Sequence, residues 1–183
     1  MLKTHYIFFY TLFPSVFFIY SLITENFSAM LSSALTLVTI FVFLAFTRKR
    51  KIFEEKTCHY IVIFILLSLF GGKALNLYHI IPYWDRILHF LSGFLTTKIG
   101  YEIYIKLNGN TKNKALVILF CILFASSCAS VWEIWEFFSD ILFKTNAQNN
   151  SLSDTMWDII LGTSSSFLYT HFFLERKKFK KNY

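Results

Sequence analysis

An all-α, polytopic membrane protein is the fold this sequence predicts, and three observations predict it. Of its 183 residues, 55% are hydrophobic, 20% aromatic and only 16% charged. Mean hydropathy is +0.50, and the apolar residues come in runs too long for a soluble core. The basic residues gather between alternate runs, as they do in a chain that threads a bilayer. With about 20 residues needed per helical crossing, roughly six crossings use up most of the chain. A single integral membrane domain over residues 1–183 is expected, with no room for a soluble one.

The first span, residues 6–23, carries Pro14, a potential kink. Lys3 ahead of it also fits a signal peptide, but no small-residue cleavage pattern follows, so the segment is expected to stay as a span. Residues 29–47 form the second. The third, residues 58–78, is strongly apolar only to Phe70; Gly71, Gly72, Lys73 and Asn76 then either continue it as a polar-faced helix or break it. Pro82 marks a turn before the fourth span, residues 85–107. The fifth and sixth are residues 115–143 and 154–174, joined by a polar linker at 144–153.

Orientation follows from charge. With the N-terminus inside, the cytoplasmic segments hold Lys3, then Arg48, Lys49, Arg50, Lys51 and Lys56, then Lys106, Lys112 and Lys114, then Arg176, Lys177, Lys178, Lys180 and Lys181. The outer side receives Lys73, Arg86 and Lys144, and Lys98 falls inside the fourth span. Both termini are therefore expected in the cytoplasm of a multi-pass protein of the cell membrane. The net charge of +7 is a topology signal that also favours anionic inner-leaflet lipid, and no nucleic acid is expected as a partner. Cys58, Cys121 and Cys128 all fall in spans and lack a Cys-x-x-Cys arrangement, so they read as packing residues rather than a disulfide or thiolate zinc site.

Six of the eleven acids, Asp85, Glu133, Glu136, Asp140, Asp154 and Asp158, sit at the ends of the last three spans that this topology places outside. All four tryptophans, Trp84, Trp132, Trp135 and Trp157, lie at the same level. At about 100° per residue, Asp85, His89, Ser92 and Thr96 share a face. Glu133, Glu136 and Asp140 share another, continuing through Ser130 and Ser126, and Asp154, Asp158 and Ser165 share a third. Helix capping explains Asp85 and Asp154 as well as function does. It does not explain the acids of the fifth span, which sit where the helix dipole disfavours negative charge; for them the competing explanation is solvation at the interface.

Carboxylates beside a bilayer are costly and mark functional sites. Meeting in one pocket, some of them must be protonated, solvated or bound to cations. Asp85, His89, Glu133, Glu136, Asp154 and Asp158 are the candidate ligands of a divalent metal: magnesium, manganese or calcium by their oxygens, zinc or iron by the His89 imidazole. Small residues on these faces, Gly93, Ser126, Ala129, Ser130 and Gly162, permit close helix packing.

The blocks Tyr83-Trp84-Asp85-Arg86-Ile87-Leu88-His89-Phe90 with Gly93, Glu133-Ile134-Trp135-Glu136, and Asp154-Thr155-Met156-Trp157-Asp158 with Gly162 resemble the YjdF-like family of bacterial polytopic membrane proteins. That resemblance covers residues 83–174 and implies a helical membrane fold with Asp-Arg-x-x-His, Glu-x-x-Glu and Asp-Thr-x-Trp-Asp blocks, without implying a reaction. It departs where that family carries a Gly-Asp pair before the last block, since this chain has only residues 149–153 there. A fainter likeness, through Asp85-Arg86 and His89-Phe90, is to VanZ-like membrane proteins.

Three function classes follow. The first is a metal-dependent membrane hydrolase or phosphotransferase acting on a lipid-linked, phosphate-bearing substrate. In it His89, Asp85 and Glu136 are the candidate catalytic groups, and Arg86 and Lys73 bind the anionic headgroup. The second is a proton- or cation-coupled transporter, for which the cytoplasmic half offers Lys98, Glu102, Thr96, Thr97 and residues 163–166. The third is a non-catalytic membrane partner or assembly factor.

Overall fold

In the computed structural model, residues 4–50, 52–109, 113–149 and 151–174 are described, and among them every regular element is helical. Lys3, Lys51, Lys112, Arg176, Lys177, Lys178, Lys180 and Lys181, which carry much of the orientation signal, lie outside the described residues. Contacts divide the chain into two compact units, Met1–Trp84 and Asp85–Tyr183.

In the first unit, α1 (Thr4–Ile23) runs through Pro14 without a break and packs along α2 (Phe27–Arg50). The turn between them is closed by Asn26, whose side chain accepts from the Ala29 amide at 3.1 Å. Ile40, Cys58 and Val62 form the core, flanked by Ile7, Tyr10, Phe43 and Leu44. Buried hydroxyls are satisfied on their own helix: Ser21 donates to the Phe17 carbonyl and Ser33 to the Ala29 carbonyl. That is the economical solution where no water reaches.

The third apolar segment departs from its expected course. It begins as α3 (Glu55–Ile65), widens into a π-helix over Leu66–Ala74, and ends there rather than at residue 78. The chain reverses at Asn76, whose φ of 60° lies in the left-handed region that asparagine tolerates. A short α4 (Leu77–Ile80) then folds back. Gly72 makes this possible, since a Cβ there would stand 2.3 Å from the Tyr78 ring.

In the second unit, α5 (Trp84–Asn108), α6 (Lys114–Phe143) and α7 (Leu152–Tyr169) are followed by a π-helical turn, Thr170–Leu174. Asn113 caps α6 by accepting from the Leu116 amide at 3.1 Å. α6 packs along α7 and its terminal turn. α5 crosses α7 with its backbone almost in contact at Gly93 and Gly162, and Ala129 of α6 fills the third side. Farther along, Tyr104, Val117 and Cys121 make the core with Phe120 and Tyr169. All three cysteines are free, as packing residues would be.

Among the described residues, four helices are long and apolar enough to cross a membrane: His5–Ile23, Phe27–Thr47, Glu55–Ala74 and Lys114–Phe143. Many large apolar side chains on them face outward, Phe8, Phe13, Val42 and Leu123 among them. α5, 25 residues long, and α7, 18 residues long, are not in that set. They carry the polar groups described next.

Candidate metal centre

The site is assembled from three helix ends of the second unit. Asp85 stands in the first turn of α5, and His89 follows one turn later on the same face, where it is buried. Asp158 comes from the second turn of α7 and is 1% exposed. One ligand atom each of Asp85, His89 and Asp158 lies within 4.8 Å of the other two. Glu133 enters from α6 at 3% exposure, with Oε1 3.4 Å from His89 Nε2. The same nitrogen is 3.9 Å from Asp85 Oδ1.

Helix packing puts these groups together. The close crossing at Gly93 and Gly162 brings α5 against α7 one turn from His89, and Ala129, one turn before Glu133, closes the contact from α6. The site therefore depends on small residues where larger ones would hold the helices apart.

Charge in this cluster is poorly compensated by protein alone. Asp158 Oδ1 is buried without a hydrogen-bond donor among the described residues. Three carboxylates surround one imidazole. Buried carboxylates without donors are costly, and native sites compensate them with a counter-charge or a bound cation.

The remaining sequence candidates have other partners. Asp154 accepts from Arg86 Nη2 at 3.3 Å through Oδ1 and from Asn149 Nδ2 at 2.7 Å through Oδ2. It also occupies the first turn of α7, whose cap is Ser151: the Ser151 side chain accepts from the Asp154 amide. Glu136 accepts from the Trp132 indole at 2.8 Å on its own helix. Asp140 holds the α6–α7 loop, accepting from the Thr145 hydroxyl and from the Ala147 and Gln148 amides. Lys73 lies in the π-helix of the first unit and is exposed.

Gln148 and Thr155 escaped the sequence reading. The Gln148 carboxamide donates to the Glu133 backbone carbonyl at 3.2 Å and to the Thr155 hydroxyl at 3.0 Å, tying α6 to α7 beside the cluster. Their only signal was a polar linker followed by an Asp-Thr block.

A family model described as "Predicted membrane protein (DUF2238)" matches residues 5–178, nearly the whole chain. The chain belongs to this family. It is also 32% identical over 96 residues to an uncharacterized protein of Thermotoga maritima, an alignment that covers 52% of this chain and 50% of that relative. The match thus spans about half the length of the curated relative. No solved structure matches the chain.

Proposed function

We propose that the protein is a metal-dependent hydrolase or phosphotransferase of the cell membrane, acting on a phosphate-bearing lipid at the outer leaflet. The supporting observation is the convergence of Asp85, His89 and Asp158 ligand atoms within 4.8 Å of one another. In this reading α5 and α7 join the four more apolar helices as membrane crossings, giving six with both termini cytoplasmic in a bacterial, YjdF-like protein. Reporter fusions check the topology. Alkaline phosphatase fused within the 144–149 loop should be active, whereas a fusion at the C-terminus should be inactive.

A bound dication supplies Lewis acidity toward a phosphoryl oxygen and toward water. Arg86, already gripping a carboxylate, presents the planar donors that a phosphate accepts from. In this reading Glu136, one turn beyond Glu133 and outside the ligand trio, carries the proton. Water adds to phosphorus, the bond from phosphorus to the lipid oxygen breaks, and that oxygen takes up a proton. Purified protein in detergent, given phosphatidic acid or a prenyl diphosphate, should release phosphate only with a dication present. Glu136→Gln should lower the rate by about 100-fold, the scale of a lost general acid–base group. No release from either lipid with any dication would overturn the activity.

A second reading, a cation-coupled transporter, is favoured by the Lys98–Glu102 pair. It joins α5 side chains at 2.7 Å well away from the cluster, with Glu102 only 8% exposed. Flux into proteoliposomes under a proton or sodium gradient, without phosphate release, would select it.

A further inference from the structure

We infer that Glu133 is a further catalytic residue of the proposed reaction: the base that takes the proton of the attacking water, aimed by Gln148 and Thr155. This role rests on the hydrolase reading above and assigns its first proton transfer. Glu133 stands outside the group of ligand atoms contributed by Asp85, His89 and Asp158. It comes from α6, whereas that trio comes from α5 and α7, so its place beside them is set by helix packing and not by their spacing.

A base for water has to lie beside the ion without binding it, and it has to be held in place. Glu133 meets both conditions. Its Oε1 lies 3.4 Å from His89 Nε2, which sets the carboxylate directly against a side chain of the ligand trio. The residue is 3% exposed, so bulk water does not compete for the proton it receives. The Gln148 and Thr155 side chains both hydrogen-bond its carboxylate. They are joined to each other at 3.0 Å, and Gln148 also donates to the Glu133 backbone carbonyl at 3.2 Å. The α6–α7 loop and the first turn of α7 thus fix this residue from outside its own helix.

The other carboxylates near the trio are engaged elsewhere. Asp154 accepts from Arg86 and Asn149, and Glu136 accepts from the Trp132 indole. Three protein ligands leave room for water, the arrangement of catalytic rather than structural zinc sites. The two glutamates then divide the proton transfers. Glu133 takes a proton from the water as its oxygen bonds to phosphorus. The bond from phosphorus to the lipid oxygen breaks, and that oxygen takes a proton from Glu136. The proton held by Glu133 returns to Glu136 through solvent, which restores both groups.

The purified full chain in detergent, loaded with zinc and given phosphatidic acid or a prenyl diphosphate, tests the assignment. Glu133→Gln, which keeps the shape and removes the basic oxygen, should lower kcat about 100-fold with KM unchanged. Its zinc content after equilibrium dialysis should match wild type, because the three ligands are untouched. Formate added to Glu133→Ala should restore part of the lost rate by supplying a small carboxylate in the vacated space. A carboxylate that only held helices together would give no such rescue. Thr155→Val should lower kcat about tenfold at unchanged KM and zinc content, the scale of a lost supporting hydrogen bond. Glu25→Gln, in the exposed α1–α2 turn, should change nothing. Full turnover by Glu133→Gln, loss of its zinc together with the rate, or a Glu133→Ala protein indifferent to formate would overturn the inference while leaving metal-dependent hydrolysis in place. Absence of phosphate release by wild type would remove both.

Discussion

Alanine at position 93 will force α5 away from α7 and take the metal centre with it. A Cβ on residue 93 would sit 1.8 Å from Ser165 Oγ and 2.1 Å from the Gly162 carbonyl oxygen. The serine hydroxyl, which donates to that same carbonyl at 3.0 Å, has a rotamer to escape to, but the carbonyl belongs to the α7 backbone. The helices must therefore separate. Overpacking of this kind costs about 1–3 kcal/mol, and more where backbone rather than side chain must move. His89 rides on the same stretch of α5, so zinc affinity should fall together with the unfolding temperature. Gly162→Ala should be milder, because its Cβ would meet only the Ala129 methyl at 3.0 Å and the His89 carbonyl at 3.6 Å. Thermal unfolding in detergent checks the order, with Gly93→Ala well below Gly162→Ala and both below wild type. A Gly93→Ala protein as stable as wild type would show that α5 and α7 do not meet there.

Asp158→Asn should invert its effect on stability according to whether metal is present. Asp158 is 1% exposed and its Oδ1 has no hydrogen-bond donor among the described residues, so without a cation its charge is a burden on the fold. Replacing it with the neutral isostere should leave the metal-free protein at least as stable as metal-free wild type. With free zinc at about 100 times its dissociation constant, wild type should gain about 2.7 kcal/mol. Asp158→Asn should gain almost none of this. A carboxylate that served only to hold the helices together would behave the other way: the variant would be weaker in both conditions, with an unchanged response to zinc.

Hydropathy made most of the helices legible, because lipid exposure demands long apolar stretches whatever their neighbours. α5 and α7 were legible as helices too. They fall short of the apolar standard of the other spans because Asp85, Arg86, Lys98 and Glu102 on α5, and Asp154, Asp158 and the serines on α7, spend that apolarity on polar contacts. The π-helix at Leu66–Ala74 left no trace in hydropathy, since winding alters which residues align and not what they are. Gly71 and Gly72 did signal trouble there, and the physical reason is the ring of Tyr78 folded onto Gly72.

Within the site, the Asp85–His89 relation could be read from helical spacing alone. The difference between Glu133 and Glu136 could not. Both lie on one helical face, and burial of Glu133 follows from where Ala129 meets Gly162. The union of Arg86 with Asp154 spans 68 positions, and the capture of Thr145, Ala147 and Gln148 by Asp140 depends on a loop path that begins with Lys144 at a φ of 54°. Neither has a local signature.

X-ray absorption at the metal edge of zinc-loaded, dialysed protein tests most directly whether side chains of α5 and α7 share one ion. The expected spectrum shows four or five nitrogen and oxygen neighbours at about 2.0–2.2 Å, with the outer-shell scattering of a single imidazole that disappears in His89→Ala. A shell of water oxygens alone, or imidazole scattering that survives the loss of His89, would contradict it.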